Sequence, residues 1–234
     1  MKYQNPFLHF KKREYALWIS SLIAVSLSYF LSPVASILSW IASLVGVTAL
    51  ILLARGDILG QLFILAFSIL YAIVSFEMRY YGEMITYLAM TAPMAVVAAI
   101  SWLRHPSKSG HNEVKIASLT PLVWCVLSLI TVLVTILFYF ILAYFNTAQL
   151  LVGTLSVTTS FFAASLTFLR SPYYALGYAA NDVVLIVLWV LASINAPAYT
   201  PMVLCFVTFL VNDLYGFFSW RSMQKRQHAV EKSS

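Results

Sequence analysis

The sequence predicts an all-α polytopic membrane protein with about eight transmembrane helices. Of its 234 residues, 62% are apolar and only 9% are charged, whereas an ordinary soluble domain carries roughly 25% charged residues. Apolar runs long enough to cross a bilayer, about 18 residues or more, recur along the chain. A soluble fold is therefore not expected. The net charge of +6 must first be interpreted as membrane topology, and no nucleic-acid partner is predicted.

Eight apolar segments remain when the chain is divided at proline, glycine and charged residues. The first lacks the cleavage site of a signal peptide and is followed directly by a second segment, so it is interpreted as a span. Each of the others is also close to the roughly 20 residues that a transmembrane helix needs. The segments cover residues 15–31, 34–54, 59–76, 83–103, 117–144, 148–169, 173–194 and 199–220.

The connections between these segments are short and contain helix-breaking or charged residues. In chain order they are LSP, ARGD, EMRYYGE, RHPSKSGHNEVK, YFNT, RSP and NAPAYT. They leave no room for a soluble domain. The chain is therefore predicted to form one transmembrane domain over 15–220, between an amino-terminal segment over 1–14 and a basic tail over 221–234.

The positions of the basic residues predict that both termini face the cytoplasm. Lys and Arg in short loops are retained on the cytoplasmic side of a membrane. With eight spans, every one of the 14 basic residues except Arg79 falls on the side of the termini. A different number of spans would scramble this distribution, so it also supports the count. We expect a multi-pass protein of the cell membrane, with Trp102 and Trp220 as interfacial anchors.

A weak internal repeat predicts how the helices are arranged. Trp102 and Trp220 each follow a serine and precede basic residues, at an offset of 118 that also pairs Tyr71 with Trp189. The sequences RGD and RSP, which begin at Arg55 and Arg170, open corresponding segments at an offset of 115.

Two parallel repeats of three helices require a linking helix, because the second copy must enter the membrane from the same side as the first. We predict a 3+1+3 core with repeat 1 over 34–103, a linker helix over 117–144 and repeat 2 over 148–220. The first helix lies outside this core. Small transporters with such repeats bind their substrates near the midplane, between the repeats.

Two acidic residues, Asp182 and Asp213, are predicted to lie near the middle of the membrane. The other acidic residues fall in loops or at segment ends. Ionisable residues in this position are costly and are candidates for function. Each follows an asparagine, giving the pairs Asn181–Asp182 and Asn212–Asp213. The alternative is structural, since amides and carboxylates can also hydrogen-bond across helices or to an unwound turn.

Aromatic and amide side chains accompany the acidic pairs at helical spacing. Tyr178, Asp182 and Trp189 share one stripe, and Asn212 and Tyr215 share another with Thr208 and Ser219. Together with polar residues of the third and fourth segments they form a predicted polar seam. Its candidate substrate-binding residues are Gln61, Tyr71, Tyr87, Asn181, Asp182, Trp189, Asn212, Asp213 and Tyr215.

The sign of the charge in the polar seam constrains the substrate. Lys, Arg and His are absent from the apolar segments, so a phosphate or carboxylate would enter unpaired, at a cost of several kcal/mol. A cationic or neutral ring compound is favoured, stacked on Trp189, Tyr71 and Tyr215. With every histidine in a loop or tail, no Ser-His or metal site is available in the membrane. Enzymatic activity, a metal and a cofactor are therefore not predicted.

Three stretches of the sequence resemble a known family. They are LYAIVSFEMRYYGEM (70–84), TLSVTTSFFAASLTFLRSPYYALGYAANDVVLIVLW (154–189) and FLVNDLYGFFSW (209–220). They are similar in order and spacing to the nicotinamide riboside transporter family, PnuC, over about residues 10–227. The family's aromatic and amide site positions fall on Trp189, Asn212 and Tyr215, and less directly on Asn181 and Gln61. The roles of Asp182 and Asp213 are inferred from their chemistry instead.

This resemblance implies a bundle similar to SWEET-type sugar transporters, with a central vitamin site. The implied activity is uptake of nicotinamide riboside, a form of vitamin B3 and a precursor for NAD biosynthesis, by facilitated diffusion with alternating access. Phosphorylation by a cytoplasmic nucleoside kinase, a functional partner, would trap the substrate in the cell. The riboside carries a fixed pyridinium charge, which agrees with a seam that has acids and no bases.

Other functions stay open at this point. Relatives in the family are implied to carry thiamin, riboflavin or deoxynucleosides, and Asp182 or Asp213 could couple transport to protons. A third hypothesis is a small membrane subunit whose basic face holds anionic lipid or a protein partner. The lipid bilayer is an expected partner, and a homo-oligomer is considered but not predicted.

Overall fold

The computed structural model describes residues 4–32, 36–77, 80–107 and 112–233. Arg79, the basic residue predicted on the opposite side from the termini, lies outside these ranges. The α-helices are α1 Lys12–Leu31, α2 Ile37–Ala54, α3 Leu59–Glu77, α4 Tyr81–Thr86, α5 Ala92–Arg104, α6 Pro121–Tyr144, α7 Leu150–Phe168, α8 Tyr174–Asn195 and α9 Thr200–Ser233.

Eight spans are present in the described part of the chain, as predicted. Seven are single helices, and α4 and α5 form the remaining span together, from Tyr81 to Arg104. Most boundaries agree with the predicted segments within a few residues. The last helix differs, because α9 continues to Ser233 through residues that were expected to form a separate tail.

The fourth span is interrupted by a π turn over Tyr87–Thr91, between α4 and α5. Pro93 follows in the first turn of α5 and has no backbone N–H for the usual bond to the carbonyl four residues earlier. A local widening of the helix is a common response to such a residue. The turn places Tyr87 and Thr91 on the inner side of the bundle, where both side chains are buried.

Six helices form a closed ring, in the order α2, α3, α5, α7, α8, α9 and back to α2. The helix α6 packs mainly on α7, outside the ring, and α1 packs on α2 and α9. One half of the ring consists of α2, α3 and α5, and the other consists of α7, α8 and α9. If the halves correspond in this order, each of the two contacts that join them, α2–α9 and α5–α7, pairs the first helix of one half with the last helix of the other. This order of contacts supports the predicted 3+1+3 plan with α1 outside the core.

The turns that follow α2 and α7 share one backbone geometry. Gly56, with φ of 68°, donates its N–H to the carbonyl of Leu53 at 2.8 Å. Arg170, with φ of 56°, donates to the carbonyl of Thr167 at 3.0 Å. Both are helix ends closed by a left-handed residue. The predicted alignment of Arg55 with Arg170 is therefore wrong by one residue, because Gly56 is the residue whose backbone geometry matches that of Arg170.

Trp102 and Trp220 are buried, and the prediction that they are interfacial anchors is wrong. Their rings lie 5.4 Å apart between centroids. Trp102 Nε1 donates to the carbonyl of Thr167 at 3.0 Å, and Trp220 Nε1 donates to that of Leu53 at 2.8 Å. The last carbonyls of a helix lack intrahelical donors, and a buried indole N–H needs an acceptor. Each tryptophan therefore bonds to a helix end in the other half of the ring.

The connection between α5 and α6 packs against the extended end of α9. Gln227 accepts the N–H of Ile116 at 2.9 Å and donates to the carbonyl of Val114 at 3.0 Å. Gln227, Val114 and Ile116 are all buried. These contacts explain why α9 stays helical beyond the membrane segment, and they cover the end of the bundle where the termini lie.

Candidate functional site

A small cavity of about 40 Å³ lies inside the ring of six helices. We call it the central cavity. Four of the predicted site residues line it, and the π turn, α7 and α8 supply the other polar groups. The polar lining consists of Tyr87, Thr91, Ser160, Tyr178, Asn181, Asp182 and Asp213. Among the described residues that line this cavity none is basic, as the sequence predicted.

Asp182 and Asp213 face each other across the central cavity. Their side chains are 4% and 3% exposed, and both line this small cavity. Two carboxylates confined to one small cavity repel each other, and a proton on one of them removes this repulsion. Asp182 Oδ2 has no hydrogen-bond partner among the described residues. The pair therefore presents an unsatisfied acceptor to the cavity.

Asn181 connects the central cavity to α7. Its Oδ1 accepts hydrogen bonds from the hydroxyls of Thr159 at 2.8 Å and Ser160 at 2.9 Å, with Ser156 at 3.4 Å. These three hydroxyls lie on one face of α7 and hold the amide in a fixed orientation. Asn181 is thus both a packing residue and a lining residue of the cavity.

An aromatic layer adjoins the central cavity on the side away from the termini. Trp189 is fully buried, and its Nε1 donates to Tyr71 Oη at 2.9 Å. Ring centroids of Tyr80 and Tyr199 lie 5.1 Å and 5.8 Å from that of Trp189. Tyr71 also lies 4.3 Å from Tyr87, which lines the cavity. Trp189 is therefore separated from the central cavity by the rings of Tyr71 and Tyr87.

Asn212 and Tyr215 are not brought into the central cavity in this conformation. Asn212 Nδ2 donates to Ser21 Oγ of α1 at 2.9 Å, and its Oδ1 has no partner among the described residues. Tyr215 Oη donates to Glu14 Oε1 at 3.3 Å. The two residues share a stripe of α9, as their spacing predicted, but that stripe faces α1.

Gln61 lies near the start of α3 and is almost completely buried. Its Nε2 has no hydrogen-bond partner in the described part of the chain. The side chain does not line the central cavity. Of the nine candidate residues, four thus line the cavity and Tyr71 and Trp189 form the layer beside it, whereas Gln61, Asn212 and Tyr215 lie elsewhere.

Glu83 is a buried acid that the sequence interpretation left at a segment end. It is 3% exposed and lies in the first turn of α4, beside Ser156 of α7, whose hydroxyl donates to Asn181. Its Oε2 has no partner among the described residues. Tyr80 and Tyr199 were also missed, because both precede a helix and belong to no periodic stripe. The predicted segment 83–103 began at Glu83, whereas α4 begins two residues earlier, at Tyr81, so Glu83 lies inside the helix.

A second and larger cavity, of about 530 Å³, lies at the end of the bundle where both termini are found. We call it the terminal cavity. Arg55 pairs there with Glu14 Oε2 at 2.6 Å, donates to the carbonyl of His9 at 2.9 Å and lies 5.4 Å above the ring of Phe10. Tyr215 also lines this cavity. The contacts of Arg55 and Tyr215 attach the beginning of α1 to α2 and α9.

Known proteins match nearly the whole chain. A family model described as nicotinamide mononucleotide transporter matches residues 36–222. A nicotinamide riboside transporter PnuC from Neisseria mucosa is 28% identical over 216 residues, covering 90% of this chain and 82% of the relative. The protein of the same name from Haemophilus influenzae is 26% identical over 212 residues, covering 90% of each chain.

A solved crystal structure of the vitamin B3 transporter PnuC has the same fold. It matches with a TM-score of 0.82 and 26% identity, covering 93% of this chain and 94% of that one. The resemblance identified in the sequence is therefore confirmed along the transmembrane domain. The chain is a multi-pass membrane transporter rather than an enzyme, and it belongs to the nicotinamide mononucleotide transporter family.

Proposed function

We propose that this transporter carries nicotinamide riboside across the cell membrane. The observation that carries the proposal is the central cavity, in which a pair of buried carboxyl groups lies beside an aromatic layer with no basic residue among the described lining. A flat pyridinium ring is stabilised by aromatic faces, at about 0.5 to 2 kcal/mol for each contact, and by negative charge. The relatives named above are called nicotinamide riboside transporters, which points to the same substrate.

The charge of the central cavity favours the riboside over its mononucleotide. The 5'-phosphate would add about 1.5 to 2 negative charges near Asp182 and Asp213. A buried anion without a partner costs several kcal/mol, and the lining offers none. Phosphorylation by a cytoplasmic nucleoside kinase would thus make a product that the transporter rejects, which traps the vitamin inside the cell.

Transport is proposed to occur by facilitated diffusion with alternating access. The central cavity, at about 40 Å³, is far smaller than the roughly 300 Å³ or more of typical small-molecule sites. The two halves of the ring must therefore separate to admit a nucleoside. Asn212 and Tyr215, which now face α1, would reach the substrate only after such a movement. Both termini are proposed to lie in the cytoplasm, where Lys and Arg are retained.

Binding to the purified transporter tests the substrate. Calorimetry on detergent-solubilised protein should show that nicotinamide riboside binds, while its 5'-phosphate, thiamin and riboflavin bind at least tenfold more weakly to the central cavity. Trp189→Ala should weaken riboside binding at least tenfold, because it removes the aromatic face beside the cavity. The proposed specificity would be contradicted if thiamin or riboflavin bound with the same affinity as nicotinamide riboside.

Trp40→Ala is the matched control for Trp189→Ala. Trp40 Nε1 donates to Ser26 Oγ at 3.0 Å and its ring stacks on Tyr29 at 5.3 Å, between α1 and α2. It does not line the central cavity. Its loss should change melting temperature but leave riboside affinity within about threefold. Equal effects of the two substitutions on affinity would remove Trp189 from the site.

Proton-coupled transport is the second candidate, because Asp182 and Asp213 are buried carboxyl groups that line one small cavity, and a proton on either of them would remove the repulsion between two like charges. A carrier that moved this proton with the riboside could accumulate the vitamin against its gradient. Uptake into sealed vesicles, measured with and without a pH gradient, separates the two mechanisms. A facilitator brings internal and external riboside to the same concentration in both cases, whereas accumulation driven by the pH gradient would establish coupling.

A further inference from the structure

The terminal cavity differs from the central cavity in charge. Its lining includes four Lys or Arg side chains, Lys11, Arg13, Arg55 and Arg226, and the side chains of Glu14 and Glu113. The two central aspartates have no counterpart of positive charge in their own lining. The two cavities therefore select for ligands of opposite sign.

Pairing leaves two of these cations uncompensated. Arg55 pairs with Glu14, and Arg226 pairs with Glu113. Lys11 and Arg13 have no ion-pair partner in the described part of the chain, and both side chains are exposed at the mouth of the cavity. An excess of two positive charges matches a phosphate monoester, which carries about 1.5 to 2 negative charges near neutral pH.

The remaining lining suits the organic part of such a ligand. Phe10, Tyr215 and Phe218 contribute aromatic rings, and Ser219 and Ser222 contribute hydroxyls on the same side of α9. A volume of about 530 Å³ is within the range of roughly 300 to 1,000 Å³ found for small-molecule sites. Inorganic phosphate alone would leave the aromatic part of the lining unused. A flat ring attached to a phosphate monoester uses both parts.

We propose that the terminal cavity binds an organic phosphate monoester, with Lys11 and Arg13 holding the phosphate and the aromatic lining holding the organic part. The phosphate can come from a nucleoside monophosphate in solution or from the headgroup of phosphatidic acid, an anionic lipid whose phosphate is also a monoester. A lipid source is chemically reasonable because basic residues at a membrane surface attract anionic headgroups. The proposed transport step uses the central cavity and does not depend on this site.

The test is calorimetry on the full chain in phosphatidylcholine nanodiscs, with nicotinamide mononucleotide and inorganic phosphate as probes. The mononucleotide should bind with one site per chain and more tightly than inorganic phosphate. Lys11→Ala/Arg13→Ala should weaken this binding at least tenfold. Lys12→Ala should leave it within twofold, because Lys12 carries the same charge one residue away and does not line the cavity. Arg13→Lys should retain most of the affinity.

The same titration separates the terminal cavity from the transport site. Trp189→Ala and an excess of nicotinamide riboside should leave mononucleotide binding unchanged. If mononucleotide binding is lost in nanodiscs containing phosphatidic acid but kept in nanodiscs with the same charge of phosphatidylglycerol, whose phosphate is a diester, a lipid headgroup is the occupant of the same site.

Three results would overturn the inference. The first is that no phosphate compound binds in either kind of nanodisc. The second is that mononucleotide binding survives Lys11→Ala/Arg13→Ala in a variant whose melting temperature equals that of the unsubstituted chain. The third is that riboside or Trp189→Ala removes the binding, which would assign it to the central cavity. Failure of the riboside proposal alone would leave the mononucleotide result intact, so the two can fail separately.

Discussion

The central cavity and the terminal cavity lie in one helix bundle and are opposite in charge. The first is small, buried and acidic, with Asp182 and Asp213 facing each other. The second is larger and open to the surface, with an excess of Lys and Arg. The difference follows from depth, because a cation near the membrane surface keeps its water and meets anionic headgroups, whereas a charge in the middle does neither. The net charge of a membrane protein therefore says nothing about the charge of its ligand.

The largest predicted effect concerns the attachment of α1 at the terminal cavity. Glu14→Gln leaves the guanidinium of Arg55 without its carboxylate, and the two side chains are only 3% and 15% exposed. Removing one partner of a buried pair costs about 3 kcal/mol or more. We expect a clear fall in melting temperature in detergent, with riboside affinity within about threefold. An unchanged melting temperature would show that this pair does not hold α1.

The next effect concerns the sign of the central cavity. The double substitution Asp182→Asn/Asp213→Asn removes the negative charge of the pair, which a single substitution would leave on the other carboxylate, and should weaken nicotinamide riboside binding at least tenfold, or about 1.4 kcal/mol. Binding of the uncharged dihydronicotinamide riboside should change less than threefold, because it has no pyridinium charge. Glu113→Gln, an acid of the terminal cavity, is the control and should change neither affinity. Equal losses for both ribosides would mean that the two aspartates act by shape or hydrogen bonding instead of charge.

A smaller effect is expected for the second ion pair of the terminal cavity. Glu113 and Arg226 are 17% and 47% exposed, so water already screens much of their attraction. Glu113→Gln should therefore lower the stability by about 1 kcal/mol, less than Glu14→Gln. Thermal unfolding of the two variants side by side measures the difference. A larger loss for Glu113→Gln would contradict the dependence on burial.

The smallest effect is expected for the pair between Lys115 and Glu231. Both side chains are more than half exposed, at 56% and 54%, although the atoms lie 2.6 Å apart. Exposed pairs contribute about 0 to 1 kcal/mol. Glu231→Gln should leave the melting temperature within one degree. A loss comparable to that of Glu14→Gln would mean that the end of α9 is held by this pair rather than by Gln227.

The spans and the acidic character of the centre could be predicted from the sequence. Backbone groups in a bilayer must be satisfied within helices, so hydropathy along the chain is a direct signal of each span. The pairs Asn181–Asp182 and Asn212–Asp213 could be identified because ionisable residues within an apolar segment are costly and are therefore candidates for function. What the spacing could not predict is the direction of each stripe. Lipid is as apolar as the protein interior, so a polar stripe on α9 does not indicate whether it faces the central cavity or α1.

Side chains near the ends of spans were the least predictable. Glu83 and Trp102 were placed at the membrane boundary because they lie at the ends of predicted segments, next to loops, yet both are buried. Their burial depends on neighbours from the other half of the ring, Ser156 for Glu83 and Thr167 for Trp102. Such contacts join residues far apart in the chain, and a single sequence carries no local signal for them. The offset of 118 residues predicted that Trp102 and Trp220 occupy equivalent positions in the two repeats, but it could not predict that their rings are in contact.

The paired tryptophans have a consequence for how the bundle can open. Trp102 belongs to the first half and holds the end of α7, while Trp220 belongs to the second half and holds the end of α2. A separation of the halves at this end cannot release one of these bonds without straining the other, since their rings also touch. A movement that opened the bundle on the side of the termini would therefore have to break both hydrogen bonds together.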